Sequence, residues 1–137
     1  MTEHVIFERL TPLIQEVTGV PVGQIKMEHG LMADLGAESL DLLDLSFLIE
    51  AQFGITLEAD EFERQARLRL PNGVYENAGF LTEEALAELR AALPEIDPGR
   101  LAAPFRKTEL PYILNVAAFV HLIQRKMAAR IEAPTHA

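Results

Sequence analysis

Asp34-Leu35-Gly36-Ala37-Glu38-Ser39-Leu40-Asp41-Leu42-Leu43-Asp44-Leu45 closes a glycine-containing loop and opens a helix, with one hydroxyl at the junction and four carboxylates around it. A serine at the start of a helix is ordinarily a cap, its oxygen accepting from an orphan N–H of the first turn. The helix that follows, read to about Phe53 with Gly54 as its stop, carries two apolar stripes. At about 100° per residue, Leu42, Leu45, Ile49 and Phe53 share about 80° of arc and form a core seam. Leu40, Leu43 and Phe47 fall on nearly the opposite side. A surface helix needs one apolar face. The second stripe therefore lies under another part of the chain or docks a transient partner, and it begins beside Ser39.

This stretch resembles the acyl carrier protein signature, Asp-Leu-Gly-x-Asp/Glu-Ser-Leu-Asp/Glu, whose serine is esterified to 4′-phosphopantetheine. The agreement continues through Phe53-Gly54-Ile55. The resemblance implies an all-α four-helix bundle in which Ser39 bears the covalent cofactor. It implies that Leu40, Leu43 and Phe47 are exposed docking positions, and that Glu38, Asp41 and Asp44 are acidic recognition residues. No catalytic residue is expected. The implied partners are a phosphopantetheinyl transferase and acyl-loading, condensing or acyl-transfer enzymes with basic docking surfaces, met by a monomer.

The motif also makes physical sense on its own. A phosphodiester on Ser39 places negative charge at a helix N-terminus, where the macrodipole and free N–H groups favour it. Gly36, without a Cβ, lets the chain turn sharply and leave the hydroxyl outside. The alternative is a helical interaction module in which Ser39 is only an N-cap.

Length and charge narrow the class. A chain of 137 residues is read as one domain, 1–131, followed by an unordered tail, 132–137. It has no cysteine, which removes disulfides, thiolate metal sites and cysteine nucleophiles. With no signal segment and no uninterrupted apolar span, the expected location is the cytoplasm. The net charge of −9 is uneven: residues 1–63 hold thirteen acidic and two basic side chains, and the remainder eight and ten. The first half repels nucleic acid and attracts basic surfaces.

Elsewhere the periodicity predicts a helix over 3–18 capped by Thr2 and ended by Gly19, kinked or split at Pro12 with Thr11 capping the second piece. A long connection, 20–38, contains His29, read as a solvated group. A third helix starts around Phe62. Asn115 stands at the cap of the last helix, about 116–131, with Val116, Phe119, Val120 and Ile123 inward. Carriers of the family pass almost directly from the third helix to the last, so residues 64–109 read as an insertion. Within it, Pro71-Asn72-Gly73 signals a turn, Thr82 caps a helix of about 82–93, and Asp97-Pro98 starts a brief turn holding Leu101. That inserted helix is expected against the main bundle, near the third helix and an acyl pocket it enlarges or covers, with a partner-binding flap as the alternative.

Other chemistries fare poorly. The residues around Ser39 are not G-x-S-x-G, and His4, His29, His121 and His136 form no triad order. The spacing after Asp34 is not a calcium loop, so no metal is expected. The Leu-rich motif and the insertion resemble specialised carriers of long or hydroxylated lipid chains. A dedicated lipid or secondary-metabolite pathway is therefore expected ahead of housekeeping fatty acid biosynthesis.

Overall fold

Thr2 starts the first helix by accepting from the Val5 N–H at 3.2 Å, and Gly19, with φ of 78°, ends it; α1 spans Glu3–Thr18. In this computed structural model, which describes residues 1–58, 60–70 and 73–132, α1 runs unbroken through Pro12. The expected split does not occur. Pro12 cannot donate to the Glu8 carbonyl, but the Thr11 hydroxyl does, at 3.4 Å. Thr11 is thus buried in mid-helix and is not a second cap.

The second helix, α2, covers Ser39–Phe53 and stops at Gly54 in the left-handed region. Its predicted seam is the buried one: Leu45, Ile49 and Phe53 lie in the core and Leu42 is half-buried. The third, α3 (Glu61–Leu68), meets the last helix, α6 (Val116–Glu132), through an edge-to-face pair of Phe62 and Phe119, centroids 5.4 Å apart. Val116, Phe119, Val120 and Ile123 all point inward, as do Ala118 and Leu122. Packing of α1 on both α2 and α6 completes a helical bundle. Among the described residues no helix is long and apolar enough to cross a membrane.

The long segment before α6 has an apolar interior of its own. A hairpin that the sequence did not announce pairs β1 (Glu76–Asn77) with β2 (Phe80–Leu81) through Ala78 and Gly79, both at positive φ. Thr82 then caps α4 (Glu83–Ala92), whose Ala85, Leu86 and Leu89, together with Leu93, are fully buried. As expected, α4 packs on α3. Arg67 of α3 also lies over the buried Tyr75 ring, 4.8 Å from its centroid. Asp97 accepts from the Gly99 N–H to close the brief turn that buries Leu101. A further short helix, α5 (Leu110–Ile113), leads into α6. Pro71 and Asn72 of the expected turn, and residues 133–137 of the expected tail, lie outside the described residues.

Asn115 joins three parts of the fold. Its Oδ1 accepts from the Ala118 N–H at 2.9 Å and so caps α6, while its Nδ2 donates to the Glu95 carbonyl at 3.3 Å beyond α4. The two preceding orphan donors of α6 go to the 20–38 connection: Val116 N–H to His29 O and Ala117 N–H to Met27 O, each 2.9 Å. His29 is half-buried, and its Nδ1 accepts from the Lys26 N–H at 3.1 Å. It organises a turn while keeping part of its surface in solvent.

Glu61 is a charge the sequence did not single out. Its side chain is 2% exposed and receives Lys126 Nζ at 2.9 Å, Gln65 Nε2 at 2.9 Å and the Glu58 N–H at 2.9 Å. Burial opposes its ionisation, but these donors outweigh burial and hold its carboxyl below the usual 4.5. A depressed carboxylate stabilises the fold above its unfolded value and ceases to do so as pH falls through the folded one. The stability difference between wild type and Glu61→Gln, measured by urea denaturation, should be largest near neutrality and shrink below pH 4.5. A difference that stays constant down to about pH 3, roughly one and a half units below that value, contradicts this.

Candidate functional site

Each residue of the opening motif has a separate task. Asp34 Oδ2 accepts from the Gly30 N–H at 2.7 Å, while the Asp34 and Leu35 N–H groups both donate back to Gly30 O. Leu35 and Ala37 are buried and pin the loop, and Ala37 N–H donates to Leu31 O at 2.9 Å. Between them Gly36 takes φ of 76°, a conformation that strains any residue with a Cβ. The chain then reaches Glu38 in extended geometry, and α2 begins.

The cap of α2 is Glu38, not Ser39. Leu42 N–H donates to Glu38 O to open the helical ladder, and Asp41 Oδ2 reaches back to accept the Glu38 N–H at 2.8 Å. Ser39 sits at the first helical position, is exposed, and its hydroxyl makes no hydrogen bond among the described residues. The reading in which Ser39 serves only as an N-cap thus loses its structural basis.

Leu40, Leu43 and Phe47 lie on the outer face of α2, with 71%, 37% and 60% of their surface exposed. The second stripe is therefore not covered by the insertion or any other described part of the chain. Asp44 and Glu38 are exposed beside it, and Asp41 is half-exposed. Along its flank, Asp41, Asp44, Phe47 and Leu48 share a shallow groove with Glu16 and Val17 of α1. Glu16 extends the acidic rim; it stands on α1, twenty-five positions before Asp41, so nothing local to the motif marked it.

The seam side of α2 faces a cavity of about 50 Å³. Leu42, one turn beyond Ser39, and Ser46 form one wall; Leu57 and Phe62 form a second; Leu110 and Pro111 of α5 and Phe119 of α6 close it. At about 10–15 Å³ of such space per water this is room for a few waters or a small group only, so a longer acyl chain must displace part of the wall. No residue of α4 lines it. The expectation that the inserted helix covers the pocket is corrected: α4 buttresses α3, and α5 provides the cover. Among the described residues no group of three or more His, Asp or Glu side chains is placed to hold a metal ion.

The site fits a phosphorylated arm on Ser39. The hydroxyl is free and outside, the first-turn N–H groups of α2 lie beside it, and a phosphodiester there gains from the macrodipole.

A family profile described as "Phosphopantetheine attachment site" matches residues 8–69. The curated relatives are of one kind. An acyl carrier protein of Petrotoga mobilis is 33% identical over 64 residues, covering 47% of this chain and 75% of that protein. One of Thermotoga maritima is 39% identical over 59 residues, 43% of this chain and 73% of that protein. One of Guillardia theta is 36% identical over 69 residues, 50% of this chain and 85% of that protein. No solved structure gives a significant match to the chain.

If Asp41 rather than Ser39 secures the helix start, Asp41→Ala should cost about 1 kcal/mol of stability in denaturant titrations, within the range for lost caps. Ser39→Ala should stay within about 0.5 kcal/mol of wild type, as for surface substitutions. The reverse ranking would return the capping role to the serine.

Proposed function

Since the chain belongs to the acyl carrier protein family, whose members bear 4′-phosphopantetheine and act as carriers and not as enzymes, we propose that Ser39 is the residue that holds the arm. The observation that carries this is the free, exposed hydroxyl at the first position of α2, released from capping by Glu38 and Asp41. The arm, when bound, supplies a terminal thiol on which an acyl group rides as a thioester. The protein's own residues do the rest. The α2 N-terminus steadies the phosphodiester charge. The cavity wall of Leu42, Leu110 and Pro111 shelters the start of an acyl chain.

Transferases and acyl-handling enzymes are the partners that family membership implies. Glu38, Asp41 and Asp44, extended by Glu16, steer basic surfaces towards Ser39. Exposed ion pairs contribute about 0–1 kcal/mol each. Burying a side chain such as Leu40 or Phe47 is worth about 1.5–3 kcal/mol. The stripe therefore supplies most of the affinity and the acids most of the approach rate, which suits docking that must release. The insertion and the Leu-rich motif favour a specialised lipid or secondary-metabolite pathway.

Incubation with coenzyme A and a promiscuous phosphopantetheinyl transferase should add one arm to the wild type and none to Ser39→Ala, read by intact mass. Phe47→Asp should fold normally yet lower kcat/KM for loading about tenfold or more, one large side chain's burial being worth about that factor. An unmodified wild type, or modification that survives Ser39→Ala, overturns the assignment.

A further inference from the structure

At the end of the molecule away from Ser39, a cleft of about 590 Å³ runs between α3 and the second half of α6. In a chain of net charge −9, five of its twelve cationic side chains line this one cleft: Arg64, Arg69, Arg125, Lys126 and Arg130. The single carboxylate among the lining residues, Glu61, is buried and already committed to Lys126 and Gln65.

Backbone carbonyls at and just beyond the end of α2 take up part of this charge. Arg130 donates to the Phe53 and Gly54 carbonyls at 3.3 and 2.6 Å, and Lys126 to the Thr56 carbonyl at 2.6 Å. Arg64 pairs with Glu61 at 3.3 Å. That leaves Arg69 and Arg125, both exposed, whose guanidinium groups have no ion pair or hydrogen bond among the described residues. Two planar forks on the lining of a concave, net positive cleft suit the bidentate recognition of a phosphate.

Leu68 stands in the same lining with 72% of its surface exposed. A free phosphate has no use for it, whereas a lipid offers a phosphate and acyl carbon together. We propose that this cleft seats the phosphate headgroup of an anionic lipid and so holds the protein, through its basic end, against a lipid surface. The acidic surface around Ser39 does not forbid this. The fifteen residues of α2 put about 22 Å between Ser39 and the cleft at 1.5 Å per residue. That is about twice the Debye length at 0.1 M salt. Docked this way, the basic end faces the lipid and Ser39 is turned away from it, open to enzymes.

The test is cosedimentation of the full chain with phosphatidylcholine vesicles, with and without phosphatidylglycerol, alongside titration with inorganic phosphate followed by NMR. Binding is expected only with phosphatidylglycerol, weakening as salt is raised. Arg69→Gln with Arg125→Gln should weaken it about thirtyfold. Lys26→Gln with Arg100→Gln, an equal charge change elsewhere, should leave it near wild type. Leu68→Ser should weaken vesicle binding without affecting arm loading on Ser39. No preference for the anionic vesicles, equal losses in the two double variants, or saturation by inorganic phosphate without vesicle binding would each overturn the proposal.

Discussion

The N-terminus of α6 is finished by a different part of the chain, and the rest of the structure depends on that. A helix leaves its first four N–H groups unpaired. Here Met27 O, His29 O and the Asn115 side chain take up three of them, and Leu31 N–H returns a bond to Leu114 O at 3.2 Å. Each bond is worth about 0.5–1.5 kcal/mol net, but their joint effect is geometric. A connection of nearly twenty residues, which alone would keep its conformational entropy, becomes the cap of the last helix. The Asp34 turn, Gly36 and the start of α2 follow from where that cap is fastened. Asn115 fastens the insertion to the same point through Glu95 O.

With its start fixed in this way, α2 can afford a face that stability does not ask for. Leu40 and Phe47 forgo burial, and Ser39 forgoes the capping bond its residue type is suited to. These departures from local optimality are concentrated within nine residues, as expected of a stretch kept for function rather than for stability. The charge arrangement extends the same division of labour. Acid surrounds Ser39, and the surplus base gathers where the C-terminal parts of α3 and α6 meet the end of α2.

The two stripes of α2, the caps at Thr2, Thr82 and Asn115, and the stops at Gly19 and Gly54 were legible because each is a local signal read at a 3.6-residue period or at a single position. The position of Ser39 at the opening of α2 was legible through its motif. Its release from capping was not, since glutamate is outside the usual capping set and the bond that matters comes from Asp41. Thr11 was misread for a similar reason: its hydroxyl answers the carbonyl that Pro12 abandons, a consequence of side-chain rotation rather than residue type. The β1–β2 turn uses Ala78 at φ of 54°, where sequence reasoning looks for asparagine or glycine. Glu61 and its partner Lys126 are sixty-five positions apart, so nothing local marked either. The cavity cover was placed on the wrong element because α4 has the stronger amphipathic pattern, whereas α5 is only four residues long.

The most direct test of this account is native-state amide hydrogen exchange at Leu31, Val116 and Ala117. If the 27–31 segment truly caps α6 and thereby holds the Ser39 loop, these three amides should exchange only through global unfolding, with the free energy of the most protected core amides. Asn115→Ala should accelerate all three together. Rapid exchange at these positions while α1 and the core of α6 remain protected would show a loop that opens independently, and Ser39 would then lack the fixed platform described here.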